Sequence, residues 1–462
     1  MNGVYDRQWR ASLSMLAIGV GLALMTLLAL GTTAALAADA STDAANEAHV
    51  VVQLDGVDLL VRPVTFTEPI SGFRALQLSG LEFAYSTEYG PPLVCSIEGV
   101  GCPADDCFCD PDGKFWAYSQ WNGSDWEPSM VGAGSSVISQ TGAVEGWRWG
   151  DGSAPWASAE QAQAAQRGLA AIQAGQSITD GSYGGSMSSS LEAMLAVGAN
   201  NLAADEWRAA PGAPSLMDFV TFAARGYTWK DVSAAGKAGV ALTGAGGCLP
   251  PGMPYPSEFY SPTLGAMSDQ PGFLSWAILG SVALSEPVAA GNVDYLRGMI
   301  QPDGGWEWSP TWGTDTNTTA LALQALLAAG VPVSATEIVS GVAYLQAAQN
   351  DDGGFPYQSG SPHGSDSDAN STAWAVQGLL AAGEDVTAAQ WAPDGASPID
   401  FLLDMQLPDG SFEWMKGAGF FATEQAVAAL LGGSYPLQVG ALDACSVHST
   451  YLPYTCTSRL DQ

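Results

Sequence analysis

The sequence predicts a multidomain chain: a small, disulfide-rich α+β domain of β-grasp-like kind, followed by an all-α (α/α)6 toroid of six helix hairpins. Three observations predict it. A tetrad Asp-Gly-(Gly or Ser)-aromatic occurs four times, as Asp180-Gly181-Ser182-Tyr183, Asp303-Gly304-Gly305-Trp306, Asp352-Gly353-Gly354-Phe355 and Asp409-Gly410-Ser411-Phe412. Each copy follows a Gln (Gln176, Gln301, Gln349, Gln406), and the last three are about 50 residues apart, a period that marks one supersecondary unit repeated. The hydrophobic pattern also changes, from strand-like before a Gly, Ser and Pro-rich stretch at 150–156 to helical after it, and four cysteines crowd between Cys95 and Cys109.

At the N-terminus, Arg7 and Arg10 precede an apolar run over 16–30, and Ala35-Leu36-Ala37 offers a small-x-small cleavage pattern. Residues 1–37 read as an export signal, either cleaved or kept as an anchor, since the run over 13–30 is nearly long enough to cross a bilayer. Either way the remainder is expected outside the cytoplasm, secreted or at the cell surface, and soluble once cleaved. A net charge of -33 with only 14 Lys and Arg excludes nucleic acid and anionic lipid as partners of the whole surface.

Seven cysteines in an exported chain favour disulfides. Cys107 and Cys109 are too close to pair with each other, so Cys95 and Cys102 bond across to them in one of two connectivities. The spacing lacks the C-x2-C knuckles of structural zinc sites. Cys445 and Cys456 are expected to form a third bridge, leaving Cys248 as a single, buried, small apolar group.

Within 48–150, the runs Val50-Val51-Val52, Leu59-Leu60-Val61 and Val64-Thr65-Phe66 read as strands, 71–78 as one short helix, and Phe115-Trp116-Ala117-Tyr118 and Trp147-Arg148-Trp149 as further strands, with Asn122-Gly123 as a turn. The toroid is expected over 158–437 and a C-terminal tail over 438–462. A first helix spans 159–176. Helical closures end at Gly198, Gly246, near Ser285, and at Gly330, Gly383 and Gly432, and glycine supplies the left-handed residue that stops a helix. Inner helices made of small residues, covered by outer helices such as 292–300 and 338–348, close most economically into a ring, because an open solenoid needs polar caps at both ends.

The Gln and Asp-Gly-Gly-Trp phrase resembles the QW repeat of squalene and hopene cyclases and the related repeat of protein prenyltransferase β subunits, over residues 158–435. The resemblance implies a structural role: Gln176 with Tyr183, Gln301 with Trp306, Gln349 with Phe355, and Gln406 with Phe412 tie an outer helix to the next turn. A second repeated element, Asp315-Thr316-Asn317-Thr318-Thr319-Ala320 and Asp368-Ala369-Asn370-Ser371-Thr372-Ala373, falls where hopene-type cyclases carry D-x-D-D-T-A, whose middle acid protonates the terpene. Here Asn317-Thr318 and Asn370-Ser371 replace the paired acids, and neither an amide nor a hydroxyl can protonate an alkene. The element therefore reads as helix caps that also present Asp315, Asn317, Thr318, Asp368, Asn370 and Ser371 to a ligand at one mouth. Zinc-dependent prenyl transfer lacks its ligands, since the toroid carries only Cys248 and His363. Glycoside cleavage stays open, because Asp315, Asp368, Glu192 and Glu424 hold comparable places in their repeats and Trp306, Trp308, Trp312, Trp374 and Trp414 could stack on sugars.

The N-terminal domain, through Lys114-Phe115-Trp116-Ala117-Tyr118, Asn122-Gly123, Val131-Gly132-Ala133 and Gly146-Trp147, is similar to a bacterial extracellular domain that itself resembles the β domain of intrinsic factor and transcobalamin. Those carriers pair such a domain with a toroid and clamp cobalamin between them. The resemblance implies an exported, non-catalytic binding protein that holds a small ligand, a corrinoid such as cobalamin being the most specific choice, between the toroid mouth and the β domain. Trp116 and Tyr118 would contact it and His363 would offer an imidazole to cobalt. The alternatives are a platform for a surface or transport partner or a glycan, and an enzyme of terpene-cyclase or glycosidase type.

Overall fold

The computed structural model describes residues 45–88, 90–361, 364–417 and 422–446; the export signal at 1–37, His363 and Cys456 lie outside the described residues. The β-rich part contains β1 (Asn46–Gln53), β2 (Leu59–Phe66), α1 (Gly72–Leu78), β3 (Phe83–Ser86), β4 (Leu93–Ile97), β5 (Val100–Gly101), β6 (Phe115–Trp121), β7 (Trp126–Pro128) and β8 (Ala143–Gly150). Five strands make one sheet in the order β2-β1-β8-β6-β7, and β3, β4 and β5 make another. β1 runs antiparallel to β2 and parallel to β8.

Alternation along β1 explains why Val50-Val51-Val52 is continuous rather than interrupted by polar residues. Val50 and Val52 pack with Phe73, Ala75 and Leu76 of α1, while Val51, with Leu59, Val61 and Val144, points the other way into the core shared with the helices. A sheet buried on both faces needs apolar residues at every position. The bridges Cys95–Cys107 and Cys102–Cys109 select one of the two expected connectivities.

The helical part contains α2 (Ala159–Ala174), α3 (Met187–Ala199), α4 (Leu216–Thr228), α5 (Val232–Gly244), α6 (Pro271–Ala283), α7 (Ala290–Gly298), α8 (Thr316–Ala328), α9 (Thr336–Ala348), α10 (Ala369–Ala381), α11 (Pro398–Asp404) and α12 (Thr423–Leu430). α3, α5, α6, α8, α10 and α12 are neighbours in that order, and α12 returns to α3, so the inner helices close a ring. The outer layer departs from six helices. α2, α4, α7, α9 and α11 are outer α-helices, but between α5 and α6 the chain forms only a 3-10 turn, Pro256–Phe259. Pro250, Pro251, Pro254 and Pro256 remove amide donors and block an α-helix there.

The repeated tetrads are tight turns with one shared chemistry. Gly181, Gly304, Gly353 and Gly410 hold φ of 77°, 97°, 83° and 88°, a region open mainly to glycine. The preceding Asp accepts from the amide two residues on, as in Ser182 N to Asp180 Oδ1 at 3.1 Å and Gly354 N to Asp352 Oδ1 at 3.0 Å. The aromatic amides of Tyr183, Trp306, Phe355 and Phe412 donate to Ser190, Thr319, Thr372 and Thr423 on the next inner helix. Gln176, Gln349 and Gln406 each donate to the turn and to a carbonyl of a neighbouring unit. Gln301 differs, bonding to Met299 O and Glu307.

Small residues let the inner helices touch backbone to backbone. A Cβ on Gly236 would lie 2.1 Å from Trp276 O, and one on Gly280 would lie 2.4 Å from the Gly236 Cα. Gly236→Ala is therefore expected to cost about 2–3 kcal/mol by overpacking. Gly226→Ala, in α4 with nothing within 4 Å of the new methyl, should be neutral or stabilise by up to about 1 kcal/mol. Urea midpoints of the two variants check the contrast.

Candidate functional site

The two ends of the ring are treated differently. At the ends where the inner helices finish, β2 lies across α12 and α3: Leu59 N donates to Leu431 O at 2.9 Å, and Val61 exchanges two hydrogen bonds with the Asn200 side chain at 2.8 and 3.0 Å. The segment after α12 then crosses the same end. Tyr435 is buried and its amide donates to Gln324 Oε1 at 2.7 Å. Leu437 packs on Gly244, Gly440 N donates to Ala283 O at 3.0 Å, and Cys445 is bonded to Cys248. The expected Cys445–Cys456 bridge and single Cys248 are thus corrected: α5 ends at a loop that brings Cys248 against the returning tail. This end of the ring is covered.

At the opposite end, where the inner helices begin, lies the polar collar. Asn317 Nδ2 donates to Asn370 Oδ1 at 2.9 Å, joining α8 to α10. Asp315 caps α8, accepting from Thr318 N at 2.7 Å and Thr318 Oγ1 at 2.9 Å, and Asp368 caps α10, accepting from the amide and hydroxyl of Ser371, both at 2.7 Å, and from Trp414 Nε1 at 2.8 Å. Trp116 and Tyr118 sit at the far side of the molecule from this collar. Trp116 belongs to the core between sheet and α1, and the Tyr118 hydroxyl bonds to Ser136 and to the buried Glu145. The residues expected to clamp a ligand are not brought together.

Burial pushes Asp315 up to about 6 from 3.8. The fold thus favours the protonated carboxyl, so the stability contributed is full below about pH 4 and is lost as pH rises through about 6, by up to about 3 kcal/mol. Asp315→Asn keeps a side chain able to cap and removes the titration. Its unfolding free energy should vary less between about pH 4 and about pH 8 than that of the unchanged protein, as chemical denaturation at the two values would show.

Further in, side chains at matching helical positions share one face of each inner helix. On α10, Asn370, Trp374 and Gln377 follow at steps of four and three, one stripe of a helix; Asn317 and Gln324 on α8 repeat the pattern. Trp374, Trp276 and Tyr435 form a cluster of three rings with centroids 5.8 to 5.9 Å apart. The Lys237 ammonium lies 5.4 Å from the Trp276 ring and pairs with Glu192. Glu424, half-buried at the start of α12, belongs to the same group: burial, then the neighbouring Glu192 carboxylate, push its carboxyl up, and Lys237 opposes this. Acids at comparable repeat places do converge, but the convergent pair is Glu192 and Glu424, whereas Asp315 and Asp368 are spent on caps. Sequence reasoning missed Lys237, Trp276, Gln377 and Tyr435. The stripe could have shown Gln377, but no local signal marks Tyr435, which reaches the ring cluster only because the tail folds back.

The helical half also carries sequence similarity. Residues 274–425, from α6 to the start of α12, match the model of the squalene-hopene cyclase C-terminal domain. A squalene–hopene cyclase of Zymomonas mobilis is 32% identical over 151 residues, which is 30% of this chain and 22% of that protein. Among solved structures, the type II terpene cyclase MstE from Scytonema aligns with a TM-score of 0.40 at 17% identity, over 59% of this chain and 97% of its own. The ent-copalyl diphosphate synthase from Streptomyces platensis aligns with a TM-score of 0.33 at 19% identity, over 60% and 50%. The two structural scores are too low to bear on function, so the weight rests on the sequence match. It overturns the reading of a non-catalytic corrinoid carrier, since the matched family is one of enzymes, and the separation of the collar from Trp116 and Tyr118 removes the geometry that reading needed. The chain is a β-rich part joined to a helical toroid, of which residues 274–425 are similar to the C-terminal domain of squalene-hopene cyclases.

Proposed function

We propose that the toroid is the chamber of an acid-catalysed enzyme of the terpene-cyclase type, which takes an uncharged isoprenoid through the collar into the blind lumen and protonates it from Glu424. One observation carries this reading: Glu424, a carboxyl whose proton affinity is raised by burial, stands with Glu192 and Lys237 beside the ring cluster of Trp276, Trp374 and Tyr435. Aromatic faces stabilise developing positive charge by about 0.5–2 kcal/mol each, and a closed floor keeps water from quenching it. The match over 274–425 supports the substrate class.

Asn317 stands where the cyclase acid would be, so the proton source has to move. A carboxyl with a raised pKa is a weaker acid than alkene protonation requires, and it suits a more basic acceptor. The substrate therefore offers an oxygen, such as an epoxide or ether, at the level of Glu424. The β-rich part, read as β-grasp-like from its central parallel β1–β8 pair with α1 packed on one face, serves as a cover for the closed end. The three disulfides and the N-terminal apolar run support a place outside the cytoplasm.

A second reading, glycoside hydrolysis, is favoured by the ion-paired Glu192 next to Glu424, whose carboxyl is pushed up by burial, since two neighbouring carboxyls in different environments are what such a reaction uses. Incubation with an oxygenated isoprenoid, with the matching hydrocarbon and with a set of glycosides separates the two. A cyclised or rearranged isoprenoid in the mass spectrum supports the cyclase reading. Sugar release transfers the site to the second, and no product from any of them overturns both.

A further inference from the structure

A cleft of about 520 Å³ lies beside the collar, against the outer helix α9. It is lined by Asp303 of the second tetrad, Thr314, Tyr344 of α9, Gln358, Ser359 and Gly360, and its size falls within the about 300–1,000 Å³ of small-molecule sites. Thr316 N donates to Tyr357 O at 3.0 Å and Thr316 Oγ1 to Pro356 O at 2.7 Å, which seats the segment carrying Gln358 against the start of α8. The polar groups of the cleft keep bonding capacity to spare. The two hydrogen bonds that Asp303 accepts, from Gly305 N at 3.3 Å and Thr314 Oγ1 at 3.0 Å, both fall on Oδ1, so Oδ2 is left as an acceptor. Gln358 spends its Nε2 on Thr314 O at 3.2 Å and keeps Oε1. The Tyr344 hydroxyl retains its proton as a donor, because burial and then the Asp303 and Asp315 carboxylates push its pKa up.

The rim adds an aromatic face. Trp312 is 66% exposed, and its carbonyl accepts from the lining Gln358 at 3.4 Å. Thr311 before it holds φ of 76°, a genuine outlier for a β-branched residue, and such strain persists only where the surroundings fix it. Trp312 N to Ser309 O and Gly313 N to Glu307 Oε2, both at 3.1 Å, supply that hold together with Gln358. The fold thus maintains a strained turn that leaves a large ring in water at the edge of a polar cleft. Among the described residues no lining group is cationic, so Asp303 repels anions there. One ammonium group would satisfy Asp303 and leave Gln358 and Ser359 idle, whereas a ring of hydroxyls, each both donor and acceptor, meets them all. We infer that this cleft is a carbohydrate-binding site, separate from Glu192 and Glu424, in which a neutral pyranose with equatorial hydroxyls bonds to Asp303, Tyr344 and Gln358 and lays its apolar face on Trp312. The inference is independent of the isoprenoid reading of the ring.

Calorimetric titration of the intact protein with cellotriose, whose β-linked glucose units carry their substituents equatorially, tests it, with choline as the cationic comparison. Cellotriose is expected to bind, and Trp312→Ala and Asp303→Asn should each weaken it at least about 10-fold with Tm unchanged. The first exchange removes only an exposed ring, and Asn keeps the Oδ1 acceptor that the turn uses while replacing Oδ2 by a donor. Glu424→Gln should bind cellotriose as tightly as the unchanged protein. Choline bound in place of cellotriose, or neither bound, overturns the inference and leaves the isoprenoid reading standing. An affinity for cellotriose that survives both Trp312→Ala and Asp303→Asn puts the sugar elsewhere and also overturns it. Loss of cellotriose binding in Glu424→Gln overturns it as well, by moving the sugar to the acid pair, where it supports the glycoside reading.

Discussion

Glu424→Gln is expected to lower kcat by about 100- to 10,000-fold while leaving substrate affinity nearly unchanged. Gln preserves the size of the side chain and its place at the start of α12, and it takes away the carboxyl proton of Glu424. The pH dependence has a definite sign. Burial and the Glu192 carboxylate raise the Glu424 carboxyl, so the active, protonated form persists at low pH and the rate falls as pH rises through that raised value. Glu192→Gln removes a cause of the shift and should move the falling limb to lower pH. The same variant frees Lys237, which pairs with Glu192, and this adds to the downward movement. Stability should respond in the opposite direction to activity: Glu424→Gln removes a buried charge and should stabilise the fold above the carboxyl's pKa. A Glu424→Gln protein with unchanged kcat, or a rate that grows with pH over the same range, would show that the proton comes from elsewhere. Product formation across a pH series for the three proteins decides this.

Cys248→Ser is expected to produce the largest loss of stability of any single disulfide exchange, about 5 kcal/mol by the loop-entropy account. The Cys248–Cys445 bridge closes 197 residues, against 7 for Cys102–Cys109, whose loss should cost about half as much. The chemical consequence is local. Cys445 N also donates to Leu249 O and Leu249 N to Asp443 O, so release of the sulfur loosens the strap that keeps Tyr435 under the aromatic cluster. Weaker binding of any lumen ligand should accompany the lower stability. Guanidinium unfolding of Cys248→Ser, Cys445→Ser and the double variant measures it: the three should lose the same amount, because each breaks one bond. Unfolding midpoints equal to that of the unchanged protein would mean that the tail holds its place through packing alone.

How much of this was legible in the chain follows from which signals are local. The tetrads gave the repeat because each is a complete device within four residues: Asp for the amide, Gly for positive φ, an aromatic for the core. The inner helices were legible through their small residues, which the backbone contacts of Gly236 and Gly280 require. The missing third outer helix was also written locally, in four prolines between 250 and 256, but periodicity was given precedence over them. The site was harder. Asp315 and Asp368 stand out in the sequence and turn out to be caps, because a capping carboxylate and a catalytic one look alike in one dimension. Glu192, Lys237 and Glu424 come from three separate helices, and only ring closure makes them neighbours. The Cys248–Cys445 pairing and the position of Tyr435 depend on the tail returning across the ring, a long-range event with no periodic signature. Placing the binding site between toroid and β domain failed for the same reason: the sequence shows that both parts exist, but not that the sheet covers the end of the ring remote from the collar.

The protonation state of Glu424 tests the account most directly. An infrared difference spectrum between the unchanged protein and Glu424→Gln, recorded across a pH series, isolates this carboxyl from the other acids of the chain. A protonated carbonyl band that disappears in Glu424→Gln, and that is lost at higher pH in step with activity, is the predicted result. A carboxylate band that forms already in the ordinary range of an exposed glutamate would contradict the assignment of Glu424 as the acid of the site.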